Sequence, residues 1–182
     1  ISDLIIDADV MSARYLDANA DSPASARNKG IKEANSDYIA FLDDDDEWLP
    51  SKIEDQLKKM ESSGRGVCHT GVKIVGPEGN LRSTKRPTKE GNVTESLFTE
   101  GPYGTLSAVM VRKDAAERIN GFDENLITGE DGDFYIRLSQ HTGFCTIPEP
   151  LVIKHAGGHS HVSDSVETIR KDNRYLIDKH QT

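Results

Sequence analysis

Residues 38–46 of this 182-residue chain have the sequence YIAFLDDDD, an apolar run followed directly by four aspartates. The continuous apolar run, bounded by polar residues, predicts a short buried strand over residues 38–42. Carboxylates packed at the end of a strand repel one another and raise one another's pKa, and a divalent cation among them relieves that cost. Oxygen ligands suit Mg²⁺, Mn²⁺ or Ca²⁺, and α/β proteins bind ligands at this edge of the sheet. The run therefore predicts a metal-assisted ligand site.

A short acidic run also has plainer interpretations. It is typical of a solvated turn, and Asp46 is a candidate N-cap for a helix that begins near Pro50. The spacing from Asp43 to Glu54 matches an EF-hand loop, but Trp48 stands at the sixth position, where that loop needs glycine. The strand before the run and the sequence EWLP after it favour the metal-assisted site.

Composition bounds the class of protein. Hydrophobic residues make up 35% of the chain and charged residues 29%, with a formal net charge of −9, which is typical of one polar globular domain. An acidic chain lacks the basic face that phosphate contacts need, so a general nucleic-acid binder is excluded. We expect no transmembrane segment and no signal peptide. Cys68 and Cys145 have neither a metal nor a disulfide spacing, which predicts ordinary buried thiols in a reducing, cytoplasmic environment.

The order of the predicted elements favours an α/β fold. Strands at 3–6 and 38–42 alternate with helices at about 22–34 and 50–60, an order that favours a mixed, mainly parallel sheet flanked by helices. A tight turn is predicted at 76–80. In the second half, the predicted strands are 66–75, 105–111 and 151–155, and the predicted helices are 114–119, 130–140 and 163–179.

The one basic cluster of the chain follows the predicted turn and contains Arg82, Lys85, Arg86 and Lys89. It is interpreted either as a solvated loop or as a loop that faces a phosphate group or an acceptor.

The chain closely resembles the glycosyltransferase family 2 pattern. The first part of the resemblance is SARNKGI at 25–31 and DYIAFLDDDDEWLPSK at 37–52. The second part is NGFDE at 120–124 and GEDGDFYIRL at 129–138, in the same order and spacing. Overall the resemblance covers about residues 3–160.

This resemblance implies a GT-A fold in a single domain over residues 1–182. It implies a nucleotide- and metal-binding part at about 1–65, an acceptor-side part at about 66–160 and a C-terminal helix at 163–180. It also implies transfer of a sugar, with inversion, from a nucleotide-diphosphate donor to a hydroxyl of a glycan, a lipid or another acceptor. The expected location is cytoplasmic, extending to the inner face of the membrane.

The resemblance also implies roles for single residues. Asp9 matches the position that meets the nucleotide base, and Asp44 matches the position near the ribose. Asp45 matches the ligand of Mn²⁺ or Mg²⁺, with Asp43 as a second ligand, and Asp131 matches the catalytic base. Around these positions, Arg27 is expected to brace the acidic loop beside the nucleotide-sugar, and Glu130 and His155 are further candidates.

The chemistry agrees with these placements. A divalent cation neutralises the charge that builds on a departing diphosphate, and a carboxylate within hydrogen-bond reach takes the proton of an attacking hydroxyl. Asp131 begins a predicted helix, where the helix dipole favours the ionised carboxylate. The alternative is that Glu130 and Asp131 are simply first-turn acids that stabilise the helix. For His155, His159 and His161, the alternatives are metal or acceptor contact and plain surface residues.

One departure from the family pattern concerns the start of the chain. Family members open with a further strand and helix before the segment at 3–6, so we expect this chain to be a fragment, a truncated product or a divergent member. A strand at 3–6 without that neighbour has an unpaired edge, which favours a homodimer. The rival hypotheses are a non-catalytic family member that binds nucleotide or metal weakly or serves in assembly, and a nucleotidyltransferase.

Overall fold

The main sheet of the protein is built around a long central strand, Val67–Val75. The computed structural model describes residues 4–7, 12–15, 20, 22–100, 104–156 and 166–180. The described strands are β1 Leu4–Asp7, β2 Ser12–Tyr15, β3 Tyr38–Ala40, β4 Asp46–Trp48, β5 Val67–Val75, β6 Leu81–Lys85, β7 Val109–Arg112 and β8 Phe144–His155. The described helices are α1 Pro23–Glu33, α2 Lys52–Ser63, α3 Thr94–Glu100, α4 Lys113–Arg118, α5 Glu130–Ser139 and α6 Val166–His180, with a 3₁₀ turn at Leu106–Ala108.

The strands of the main sheet follow the order β3-β7-β5-β8-β4, and β6 pairs with β5 off this path. β5 runs parallel to β8, whereas β3–β7, β4–β8, β5–β6 and β5–β7 are antiparallel pairs. The predicted α/β class with a mixed sheet is confirmed. The prediction that the sheet is mainly parallel is wrong for the described strands. The tight turn at 76–80 makes β6 run antiparallel to β5, and the neighbour of β3 is the antiparallel strand β7. Strands from both predicted parts of the domain share this sheet, while the division into parts stays a prediction.

The strand predicted at 3–6 is present as β1, but it lies in a separate two-stranded sheet. It pairs antiparallel with β2, with Leu4 opposite Tyr15 and Asp7 opposite Ser12. The expected parallel alternation with the strand at 38–42 is therefore not found among the described strands. A homodimer was predicted because β1 would have an unpaired edge, and β2 pairs with one edge of β1. That argument is therefore weaker, and the homodimer stays a prediction.

The two helices of the first half begin at local capping signals. Ser22 and Ser25 form a capping box at the start of α1, and Pro23 occupies its first turn. Helix α2 begins after Ser51 and ends at Gly64, whose φ of 67° is left-handed. Asp46 lies in β4 and not at this helix start, so the interpretation of Asp46 as an N-cap is wrong.

An aromatic cluster joins the end of β3 to the start of α5. Phe122 stacks on Phe134 with ring centroids 4.0 Å apart, and Phe41 meets both rings edge-on at 5.5 and 6.1 Å. Phe122 and Phe134 are almost completely buried. This packing brings the acidic run after residue 42 close to the beginning of α5, although the two are far apart in the sequence.

Two further sequence predictions concern side chains away from this cluster. Cys68 and Cys145 are free, buried thiols on neighbouring strands, as predicted. The basic cluster is not wholly a loop, since residues 81–85 form the edge strand β6, all of whose residues are exposed. This strand forms because the turn at 76–80 places it in register with β5.

A close approach at Gly121 fixes the loop that carries Phe122. Gly121 has a φ of 68°, and a Cβ there would lie 2.2 Å from Asn28 Oδ1. That oxygen accepts the Phe122 N–H at 2.7 Å. Glycine is therefore required both for its backbone conformation and for the hydrogen bond from α1.

We expect Gly121→Ala to lower the free energy of unfolding by roughly 2–3 kcal/mol, the sum of backbone strain and overpacking. Gly79→Ala is the matched control, because Gly79 has a similar φ of 75° and no neighbour within 4 Å of its Cβ position. It should lose only about 1 kcal/mol. Urea unfolding measures both losses, and equal losses would contradict the role of the contact with Asn28.

Candidate active site

The acidic run forms a turn that is hydrogen-bonded to the 3₁₀ turn at Leu106–Ala108. The Asp43 N–H donates to Ser107 Oγ at 3.0 Å, and the Asp46 N–H donates to the Asp43 carbonyl at 3.1 Å. On the far side, Trp48 Nε1 donates to the Ser107 carbonyl at 2.8 Å. Trp48 therefore anchors the end of the acidic loop to the 3₁₀ turn.

The four aspartates occupy different environments. Asp44 is exposed and Asp45 half-buried, whereas Asp46 is only 7% exposed. The Thr105 hydroxyl lies 2.9 Å from Asp46 Oδ2 and 3.2 Å from Asp43 Oδ2. Burial raises the pKa of the Asp46 carboxyl. Asp43 and Asp46 thus have protein partners, whereas the carboxylates of Asp44 and Asp45 form no ion pair with a described residue.

Arg27 links the acidic loop to the start of α5. From α1, its guanidinium donates to Glu130 Oε1 at 2.8 Å and lies 3.3 Å from Asp43 Oδ1 and 3.6 Å from Asp131 Oδ1. It also lies over the ring of Phe122, 5.5 Å from the centroid. Arg27 thus pairs with Asp43 of the acidic loop. It gathers three carboxylates from two distant segments, and we call Arg27, Asp43, Glu130 and Asp131 the Arg27 cluster.

The carboxyl group of Asp131 is held in an unfavourable environment for its charge. Its side chain is 32% exposed, yet its Oδ1 is buried and has no hydrogen-bond partner among the described residues. Burial, followed by the negative charge of Glu130, raises the pKa of Asp131 to about 7, against the opposing effect of Arg27. The expectation that the helix dipole stabilises the ionised form is therefore wrong in its net direction, because burial and neighbouring charge outweigh the dipole.

A buried polar network beneath the loop was not predicted from the sequence. Lys52 is fully buried, donates to Gln56 Oε1 at 2.7 Å and places its ammonium 4.2 Å from the centre of the Trp48 ring. Gln56 Nε2 donates in turn to the carbonyls of Cys68 and Ala108. Burial lowers the pKa of Lys52 to about 7. The spacing of Lys52 and Gln56 by four residues on α2 is a sequence signal for their contact, whereas Trp48 lies on β4 and meets Lys52 only through the fold.

The remaining candidates lie apart from the Arg27 cluster or outside the described residues. His155 Nε2 lies 2.8 Å from Glu47 Oε1, and both side chains are exposed. Asp9, His159 and His161 lie outside the described residues. Their predicted roles stay predictions.

The carboxylates of the loop suit a cation that binds together with a ligand. In the described ranges, no three His, Cys, Asp or Glu side chains form a preformed metal site. Asp43 is already engaged by Arg27 and Thr105, which leaves Asp45, with Asp44 beside it. One or two carboxylates completed by phosphate oxygens and water suit Mg²⁺ or Mn²⁺, so this donor set fits such a cation.

Comparison with known proteins identifies the family. The glycosyl transferase family 2 model matches residues 12–119, more than half of the chain, and the chain belongs to this family. The resemblance inferred from the sequence is thereby confirmed. The matched range includes the acidic run and ends before Asp131.

Curated relatives agree with the family. An uncharacterized glycosyltransferase of Rickettsia felis is 31% identical over 165 residues, which cover 90% of this chain and 26% of the relative. The amylovoran biosynthesis glycosyltransferase AmsB of Erwinia amylovora is 35% identical over 158 residues, which cover 79% of this chain and 51% of the relative. The chain thus spans about a quarter to a half of the length of these relatives.

A solved structure shares the fold. The crystal structure of S. aureus TarS 1–349 in complex with UDP-GlcNAc matches with a TM-score of 0.64 at 16% identity, covering 89% of this chain and 49% of that chain. The predicted GT-A fold is confirmed by this similarity. Among the helices that the structure describes, none is long and apolar enough to cross a membrane.

Proposed function

We propose that this chain transfers a sugar from a nucleotide-diphosphate donor to an acceptor hydroxyl, with inversion at the transferred carbon. The observation that carries the proposal is the Arg27 cluster, because it joins the acidic loop to Asp131 at the start of α5. The similar TarS structure contains UDP-GlcNAc, which supports a nucleotide-diphosphate sugar as the class of donor.

The donor side of the proposed site is the acidic loop. Asp45 would hold Mn²⁺ or Mg²⁺, and Asp44 would lie near the ribose, since neither carboxylate forms an ion pair with a described residue, whereas that of Asp43 is paired with Arg27. Asp43 contributes by orienting the loop through Arg27 and Thr105, and Asp9 keeps its proposed place at the nucleotide base. When bound, the cation would neutralise negative charge on the departing diphosphate.

The acceptor side of the proposed site is Asp131. The acceptor oxygen attacks the anomeric carbon and gives its proton to the Asp131 carboxylate, while Arg27 holds that carboxylate beside the loop. A pKa of about 7 suits a general base at neutral pH, because the group is partly ionised and still a useful proton acceptor. A single displacement of this kind inverts the anomeric carbon. A cytoplasmic location is part of the proposal and is supported by the free thiols of Cys68 and Cys145.

Calorimetric titration of nucleoside diphosphates, UDP among them, with and without Mn²⁺ tests the donor assignment. We expect Mn²⁺-dependent binding that Asp45→Asn weakens by at least about tenfold, since the variant removes a charged metal ligand. Asp178→Asn is the matched control, because Asp178 is an exposed aspartate on α6, and it should bind like the parent chain. Unchanged binding by Asp45→Asn would overturn the metal assignment. Binding without any transfer would favour the non-catalytic family member.

A further inference from the structure

A cleft of about 640 Å³ lies between α3, α5 and α6, which is a size typical of small-molecule sites. One side is the start of α5, from Gly129 to Asp133, and includes Asp131. The other lining residues, on α3, α5 and α6, are mostly apolar: Leu97, Phe98, Ile136, Leu176 and Ile177. The cleft therefore brings the proposed base and an apolar surface into one cavity.

Two of the apolar side chains are unusually open to solvent. Phe98 is 51% exposed and Ile177 is 52% exposed, although both line the cleft. Large apolar groups that stay exposed around a concave site are typical of ligand-binding surfaces. The burial of both side chains by a bound molecule would be favourable.

The charges around the cleft disfavour an anionic ligand. Asp133 is matched by cationic partners, since Arg137 and Lys179 both form ion pairs with it, and His180, which also lines the cleft, lies 2.9 Å from Asp133 Oδ1. Glu130 and Asp131 instead share Arg27 with Asp43. A ligand that reaches Asp131 therefore meets excess negative charge, which repels an anion and accepts a neutral hydroxyl.

We propose that this cleft is the acceptor site and takes an uncharged, hydroxyl-bearing acceptor with an apolar group, such as an alkyl glycoside or a neutral glycolipid. The inference rests on the proposed function and names its acceptor class. The acceptor hydroxyl lies at Asp131, and the apolar group covers Phe98 and Ile177 across the cleft. The acceptor O–H gives its proton to Asp131, and its oxygen forms the bond to the anomeric carbon. The bond from that carbon to the diphosphate breaks, and the diphosphate leaves with the electron pair.

Titration with three small probes tests the chemistry of the cleft without a donor. The probes are methyl β-D-glucoside, octyl β-D-glucoside below its micelle concentration, and octyl phosphate. We expect the octyl glucoside to bind at least about tenfold more tightly than the methyl glucoside, because its chain buries apolar surface. We expect octyl phosphate to bind more weakly than the octyl glucoside. Equal binding of the two glucosides, or tighter binding of the phosphate, would overturn the proposal.

Variants place the binding in this cleft. Phe98→Ser combined with Ile177→Ser should weaken octyl glucoside binding by at least about tenfold. Leu81→Ser is the matched control, because Leu81 is 60% exposed on β6 and does not line the cleft, and it should bind like the parent chain. If the double variant also binds like the parent chain, the cleft is not the site.

The nucleotide titration separates this inference from the proposed function. The double variant should bind nucleoside diphosphate and Mn²⁺ as the parent chain does, since its substitutions lie away from the acidic loop. Octyl glucoside binding without any nucleotide binding would overturn the acceptor role, and the proposed function with it. If the chain binds nucleotide but binds the octyl and methyl glucosides equally, only the inference of an acceptor with an apolar group is overturned.

Discussion

Asp131→Asn should lower the rate of sugar transfer by about 10²–10⁴-fold, the usual contribution of a general base. Asparagine keeps the size and shape of the side chain but cannot take the proton. Binding of nucleoside diphosphate and Mn²⁺ should stay nearly unchanged, because Asp44 and Asp45 are intact. Transfer measured with saturating donor and acceptor tests the rate, and calorimetry tests the binding.

The matched control is Asp114→Asn, because Asp114 is also a first-turn acid, on the short helix α4. If Asp131 were only a helix-stabilising acid, both variants would keep full transfer and lose similar small amounts of stability. An Asp131→Asn variant with full transfer would end the catalytic assignment.

The raised pKa of Asp131 adds a dependence on pH. Transfer should rise as the pH increases through about 7, where the carboxyl loses its proton, and level off above it. The folded-state pKa exceeds the unfolded value of about 3.9, so the folded protein binds this proton more tightly. The bound proton therefore stabilises the folded protein fully below about pH 3.9, the unfolded-state pKa. This stabilisation is lost as the pH rises through about 7, the folded-state pKa of Asp131.

Asp131→Asn should remove this loss of stability. The variant should equal the parent chain near pH 4 and be more stable at pH 8, as measured by urea unfolding at both values. The change in stability at pH 8 should have the opposite sign for Asp114→Asn. The ion pair with Arg112 lowers the pKa of Asp114, so this variant should be slightly destabilised at pH 8. A loss of stability at pH 8 for Asp131→Asn would contradict the environment described for this group.

Local signals in the sequence located most elements of the fold. Helix α1 was predictable because Ser22 and Pro23 mark its start, and the end of β5 was predictable because a strong turn follows Val75. Sheet order was not predictable in this way, because the direction of a strand pair depends on which strands become neighbours. The three-residue strand β4 was missed because its pairing with β8, and not its own sequence, makes it a strand.

The residue types of the site were predictable from the sequence, but the contacts between them were not. No local pattern shows that Thr105 contacts both Asp43 and Asp46. Likewise, no local pattern shows that Arg27 meets Glu130, which lies 103 positions away. Such contacts follow from packing, here the aromatic cluster of Phe41, Phe122 and Phe134.

Arg27→Met should be the most destabilising change in the site, with a loss of roughly 2–3 kcal/mol in the free energy of unfolding. Breaking a fully buried ion pair costs about 3–5 kcal/mol, and the partial exposure of Asp43 and Asp131 reduces that cost. Methionine keeps the apolar stem over Phe122, so the loss reports the charge. Without Arg27, three carboxylates repel one another, and the acidic loop loses its link to α5.

Arg112→Met is the matched control for this loss. Arg112 also pairs with an aspartate and lies 5.9 Å from the centre of an aromatic ring, that of Tyr38, but its side chain is 43% exposed. An exposed pair contributes about 1 kcal/mol or less, so this variant should lose much less than Arg27→Met. Similar losses for the two variants would show that the Arg27 cluster behaves as an ordinary surface pair.

The double variant Arg27→Met/Asp131→Asn isolates the repulsion between the carboxylates. Because Arg27 lowers the pKa of Asp131, its removal should raise that pKa further and move the pH dependence of any residual transfer upward in the single variant. Neutralising Asp131 removes one of the three charges, so Asp131→Asn should stabilise the Arg27→Met chain at pH 8 by more than it stabilises the parent chain, where it also removes an attraction to Arg27. Near pH 4 it should change the stability of either chain little. An equal gain from Asp131→Asn in both backgrounds at pH 8 would mean that Arg27 and Asp131 act independently, and that the contact joining the acidic loop to α5 has no energetic role.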